Sequence, residues 1–70
     1  MKEVLAPMPG FIIEVIVDIG DAVFEEQNLI ILEAMKMENP VMAPCDGTVK
    51  EIKVQKGDKV ASDQVLMLLE

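Results

Sequence analysis

Residues 7–33, PMPGFIIEVIVDIGDAVFEEQNLIILE, return 37 positions later as residues 44–70, PCDGTVKEIKVQKGDKVASDQVLMLLE. Pro7 meets Pro44, Gly10 meets Gly47, Glu14 meets Glu51, Val17 meets Val54 and Gly20-Asp21 meets Gly57-Asp58. Val23 matches Val60, Gln27 matches Gln64, Leu29 matches Leu66, and Leu32-Glu33 matches Leu69-Glu70, eleven identities in all. One unit has been used twice. Two copies are too few for a solenoid, so a closed pair related by a pseudo-twofold axis is the expected use of the repeat.

Each unit reads as β. Nine Val and seven Ile stand among 70 residues, and turn-forming residues punctuate the chain at short intervals. Leu29 to Ala34, interrupted only by Glu33, and Val65 to Leu69 are apolar runs of the kind found in strands buried on both faces of the pleat. In the other strand of each unit the apolar parity slips: Ile12 is out of step with Val15 and Val17, and Val49 with Ile52 and Val54. The slip predicts a bulge near Ile13-Glu14 and Lys50-Glu51, which would let one long strand serve two sheets. Gly20-Asp21 and Gly57-Asp58 are expected turns, and Pro40 belongs on an edge strand or at a bulge, since it has no N–H for a ladder.

Between the copies lies Glu33-Ala34-Met35-Lys36-Met37-Glu38-Asn39. The symmetry mates of Lys36 would fall just beyond the two chain ends. A twofold arrangement therefore puts the Lys36 turn at one end of the molecule and both termini at the other, a suitable layout for a tethered carrier. Lys36 is also the only cation between Lys2 and Lys50, whereas Lys50, Lys53, Lys56 and Lys59 read as a solvated face among acids. From the residues alone, two readings stand. Lys36 keeps a hairpin tip soluble and the methionines fill gaps in the core, or the tip is read by an enzyme. Hairpin tips usually carry Asn-Gly or Asp-Gly, and this one spends two apolar side chains where solvent is expected.

Composition excludes much else. The 70 residues include no His, Trp, Tyr or Arg and a single Ser, Thr and Cys, which rules out a Ser/His or Cys/His nucleophilic pair and removes the usual ligands of a metal cluster. The four glycines stand singly, in no phosphate-binding spacing. A formal charge of −7 with only Phe11 and Phe24 as aromatics opposes nucleic acid, and the same charge opposes an anionic membrane. Apolar runs are too short to span a bilayer, no secretory segment is evident, and the lone Cys45 makes no internal disulfide. One soluble, monomeric domain over residues 1–70, non-catalytic by itself and at home in a reducing cytoplasm, is the expectation.

Ala6-Pro7-Met8-Pro9-Gly10, the Gly20-Asp21 turn, the motif from Glu33 to Asn39 and Ala43-Pro44-Cys45-Asp46-Gly47 together resemble the biotinyl, or biotin carboxyl carrier, domain of biotin-dependent carboxylases and decarboxylases. The resemblance covers essentially the whole chain. It implies an all-β flattened barrel or sandwich of two four-stranded antiparallel sheets with quasi-twofold symmetry, the hammerhead shared with lipoyl domains. It implies that Lys36 carries covalent biotin, that Met35 and Met37 serve recognition, and that Glu33, Ala34 and Glu38 complete the flanking motif. The implied partners are a biotin protein ligase, a biotin carboxylase and a carboxyltransferase or decarboxylase. The carrier of bacterial acetyl-CoA carboxylase has a thumb inserted in its first unit, for which Gly10 to Gly20 leaves no room, so the resemblance is to the thumbless carriers of acyl-CoA and pyruvate carboxylases, decarboxylases and transcarboxylases. Three alternatives remain: a lipoyl carrier, whose lysine usually has acidic and alanine neighbours; a Schiff-base enzyme, which would need a desolvated lysine; and an unmodified interaction module.

Overall fold

A computed structural model describes all residues, 1–70. Eight strands form, with no helix: β1 (Lys2–Leu5), β2 (Gly10–Val15), β3 (Ala22–Val23), β4 (Asn28–Ala34), β5 (Met37–Met42), β6 (Gly47–Ile52), β7 (Lys59–Val60) and β8 (Val65–Leu69). They build two four-stranded antiparallel sheets, ordered β1-β8-β6-β3 and β5-β4-β2-β7. The apolar runs become the interior strands β4 and β8. Leu29, Ile30, Leu32, Leu66, Met67 and Leu69 on these strands are all at most 1% exposed, and sixteen buried residues from both sheets form one core cluster. Pro40 lies in β5, an edge strand, as its missing N–H requires.

The repeat is visible in the hydrogen bonds. Of the sixteen backbone bonds outside the strand ladders, fourteen fall into seven pairs related by the 37-residue offset. The Gly20 N–H donates to the Val49 carbonyl (2.8 Å) as that of Gly57 donates to Ile12 (2.7 Å), and Ile12 donates to Asp58 as Val49 donates to Asp21. Side chains follow the same rule. The Asp21 carboxylate accepts from the Asp18 N–H and that of Asp58 from the Gln55 N–H, while the Gln27 and Gln64 side-chain carbonyls accept from Phe24 and Ala61. Gly20 and Gly57 have φ of 95° and 94°, a region that side chains bearing Cβ disfavour.

Bulges fall where the parity slips. Pairing of β2 with β4 shifts register between Ile12 and Glu14, and pairing of β6 with β8 shifts between Val49 and Glu51. The bulged strands do not, however, serve two sheets. Each stays in its own, and the sheets are linked instead by exchange of the two-residue strands: β3 of the first unit pairs with β6 and β7 of the second with β2. The reason lies in the Gly20 and Gly57 turns, which follow β2 and β6 and tie the redirected chain to the opposite sheet.

β1 pairs with β8, Lys2 opposite Leu69, so the two chain ends lie side by side. The cavity that lies against this region, lined by Met1, Lys2, Glu3, Leu5 and Leu68, shares no residue with the one at the Lys36 hairpin.

Candidate functional site

Lys36 sits at the tip of the β4–β5 hairpin. Ala34 and Met37 are the last cross-strand pair, which leaves Met35 and Lys36 as a two-residue connection. Both have positive φ, 54° and 63°, the signature of a type I′ turn and the reason such turns favour Asn-Gly. Here neither residue is glycine, asparagine or aspartate. Backbone strain of about 1 kcal/mol per residue is therefore held at the tip, and the six cross-strand pairs between β4 and β5 hold it in place. The Asn39 side-chain amide adds a bond to the Met37 carbonyl (3.2 Å).

The tip projects its side chains into solvent. Met35 is 89% and Met37 65% exposed, Lys36, Glu33 and Glu38 are exposed, and only Ala34 turns inward, at 6%. The methionines are therefore not core filler. Lys36 has no carboxylate within ion-pair distance: the two ion pairs of the molecule, Lys50–Glu70 at 2.9 Å and Lys53–Glu51 at 3.4 Å, both lie in the second unit. Glu70 also holds the Lys50 ammonium above the ordinary lysine range, by hydrogen bond first and charge second. No group of three or more His, Cys, Asp or Glu side chains converges anywhere, and no helix is long and apolar enough to cross a membrane.

At the base of the hairpin lies an open cavity of about 440 Å³, lined by Pro9, Gly10, Phe11, Ala34, Met35 and Lys59 together with Lys36 and Glu33. Gly10 allows the strands to meet there: a Cβ at this position would overlap the Glu33 carbonyl oxygen. The sequence places Lys59 on a solvated face among acids and gives Phe11 no part in the site. The signal that marks them is a divergence between the repeats, since their mates at the offset of 37 are Thr48 and Ala22.

A family model described as "Biotin-requiring enzyme", of the biotin/lipoyl group, matches residues 2–69. The chain belongs to that family, as a biotinyl domain of the carboxyl-carrier type. The biotinyl domain is 64% identical over 36 residues to the biotin carboxyl carrier protein of Streptococcus mutans serotype c, a match covering 51% of this chain and 28% of that protein. It is 55% identical over 38 residues to the propionyl-CoA carboxylase alpha chain of Ruegeria pomeroyi, covering 54% and 6% respectively. With the methylmalonyl-CoA decarboxylase subunit gamma of Veillonella parvula the identity is 52% over 40 residues, or 57% and 31%. These matches span less than a third of each relative. Among solved structures, the urea carboxylase of Kluyveromyces lactis superimposes with a TM-score of 0.93 at 28% identity, over 99% of this chain and 6% of that one. A single-chain, multi-domain long-chain acyl-CoA carboxylase gives 0.88 at 27%, over 94% and 7%. The two antiparallel sheets with quasi-twofold symmetry are thus the fold of carboxylase biotinyl domains.

Proposed function

We propose that Lys36 is the residue to which a biotin protein ligase joins biotin, and that the arm so formed carries a carboxyl group between a biotin carboxylase and a carboxyltransferase or decarboxylase. The observation that carries this reading is the strained hairpin tip, which presents an unpaired, exposed lysine between two exposed methionines. The site fits the group: nothing buries or neutralises the Lys36 amine, and a solvent-facing side chain has room for acylation.

An amine does not displace oxygen from a free carboxylate, which has no adequate leaving group, and nothing in this chain activates one. The ligase must therefore bring the acyl group already activated, as biotinyl-adenylate. Nζ attacks the acyl carbon, AMP leaves, and the proton released from nitrogen passes to solvent. The bound group supplies a ureido nitrogen that accepts and releases a carboxyl group. The chain's own part is positional. The paired strands hold the tip rigid, Met35 and Met37 offer adaptable apolar contacts to the enzymes that read it, and the tether replaces diffusion by a high effective concentration at each partner's site.

Intact mass and a peptide map after incubation with biotin, ATP and a biotin protein ligase test this reading, with a lipoate ligase reaction alongside. One biotinyl increment on Lys36, absent from Lys36→Arg, is the expected result. Biotin on the arginine variant would overturn the assignment, and a lipoyl increment alone would replace biotin by lipoate.

A further inference from the structure

The ladder position beside the hairpin breaks the internal symmetry. Phe11 on β2 and Lys59 on β7 are cross-strand partners, and both line the cavity that Lys36 also lines. Their mates, Thr48 on β6 and Ala22 on β3, are partners in the equivalent register of the other sheet. An aromatic ring and an ammonium thus occupy, at the lysine-bearing end, the place that two small side chains fill at the other. Folding gives no reason for the difference. Thr48 and Ala22 show that the ladder closes without them, Phe11 leaves 50% of its surface exposed, and Lys59 has no carboxylate in ion-pair range.

We propose that the Phe11–Lys59 pair is a resting site for the ring of the group tethered to Lys36, a neutral bicyclic urea with a thioether; this rests on Lys36 being the attachment point. The chemistry of the lining matches the two halves of such a ring. Phe11, with Pro9 and the methionine stem of Met35, offers apolar surface and an aromatic edge to the sulfur-containing half. Lys59 offers an N–H donor to the urea oxygen. About 440 Å³ lies within the range of small-molecule sites.

The tether selects this occupant over any other. A group held by a short flexible arm is present at an effective concentration on the order of millimolar. A site with a dissociation constant in that range is then about half filled. Such occupancy shields one side of the ring for part of the time, and a partner enzyme that binds the ring more tightly removes it with little resistance.

The test compares ¹H–¹⁵N correlation spectra of the unmodified and biotinylated chain, each sample first checked by intact mass, so that failure of attachment is seen separately from failure of docking. Docking predicts shift changes at Gly10, Phe11 and Lys59 beyond those at residues 34–38, and nuclear Overhauser contacts between the Phe11 ring and the biotin ring. In biotinylated Phe11→Thr/Lys59→Ala those contacts should vanish and the remaining changes contract to the hairpin. The substitutions install the residues that the fold already accepts at the mates, and unchanged signals for residues 44–54 verify folding. Changes confined to residues 34–38 in the parent chain, with no contact to Phe11, would overturn the proposal whether or not the variant folds.

Discussion

Replacing Met35-Lys36 by Asn-Gly should stabilise the domain while destroying its candidate attachment site. Both residues sit at positive φ, 54° and 63°, where a side chain bearing Cβ is disfavoured by roughly 1 kcal/mol. Neither side chain contributes packing that would be lost, since Met35 is 89% exposed and Lys36 makes no ion pair. Asparagine tolerates the left-handed region and glycine adopts it freely. Glycine's extra freedom in the unfolded chain gives back up to about 1 kcal/mol. The net gain expected is therefore about 1 kcal/mol. For a domain of this size that corresponds to a rise in melting temperature of about 4–8 °C, readable by far-UV circular dichroism and checked by a urea midpoint moving up at unchanged slope. Lys36→Arg keeps the backbone strain and should melt with the parent, which separates the backbone effect from the loss of the lysine. An Asn-Gly variant that melts at or below the parent temperature would refute the claim that strain resides in this turn.

Three further outcomes are expected. Gly10→Ala should destabilise more than Gly47→Ala, by roughly 2 against 1 kcal/mol, because a Cβ at Gly10 overlaps the Glu33 carbonyl whereas at Gly47 it lies 2.9 Å from that of Glu70; paired urea titrations would show the order. Met35→Leu and Met37→Leu should leave the melting temperature within about 2–4 °C of the parent, since both side chains are exposed and leucine, unbranched at Cβ like methionine, leaves the strain of the turn as it was, so that the change stays within about 0.5 kcal/mol, yet lower ligase kcat/KM; unchanged kinetics in both would remove the methionines from recognition. Lys50 should titrate above 10.5 in the folded chain and return toward that value in Glu70→Gln, as followed by ¹⁵N-detected lysine NMR. Because the folded value of Lys50 is the higher one, the contribution linked to its titration is complete below the ordinary lysine value and is lost as pH rises through the folded one.

Much of the fold could be read from the chain because its repeated residues carry local chemistry. Gly20 and Gly57 mark positive φ, Asp21 and Asp58 each accept from the N–H three residues earlier, and Gln27 and Gln64 each close the turn that begins at Phe24 or Ala61. Parity slips at Ile12 and Val49 disclosed the bulges, because burial on one face leaves a period of two that an inserted residue must break. The exchange of β3 and β7 could not be read in this way. Strands of two residues have no period, and their pairing is decided by where the glycine turns aim the chain. Lys36 stood out by its neighbours and the repeat's midpoint. Positive φ at Met35 and Lys36 did not, because nothing in those two residue types asks for it.

Identity between the copies falls largely on residues that folding needs, and divergence marks positions where folding leaves the choice open. The first unit carries six acids and no cation, while the second carries five acids and the four lysines 50, 53, 56 and 59. Three of those lysines stand opposite Ile13, Ile16 and Ile19 at the offset of 37. Since the same backbone accepts lysine at these places, the isoleucines are not demanded by the core, and Ile16 and Ile19 are indeed 46% and 65% exposed. A symmetric scaffold gives both ends matching strands and interior, with the β4–β5 hairpin at one and the two chain ends at the other. What makes one end chemically distinct is confined to a hairpin strained by Met35 and Lys36, the Phe11–Lys59 pair at its base, and carboxylates at Glu33 and Glu38 without ion-pair partners. Three of these differences can be read against a mate: Thr48 and Ala22 stand where Phe11 and Lys59 do, and Glu70, the mate of Glu33, is paired with Lys50. The same fold is met there without an exposed ring or an unpaired charge, and stability alone does not ask for either.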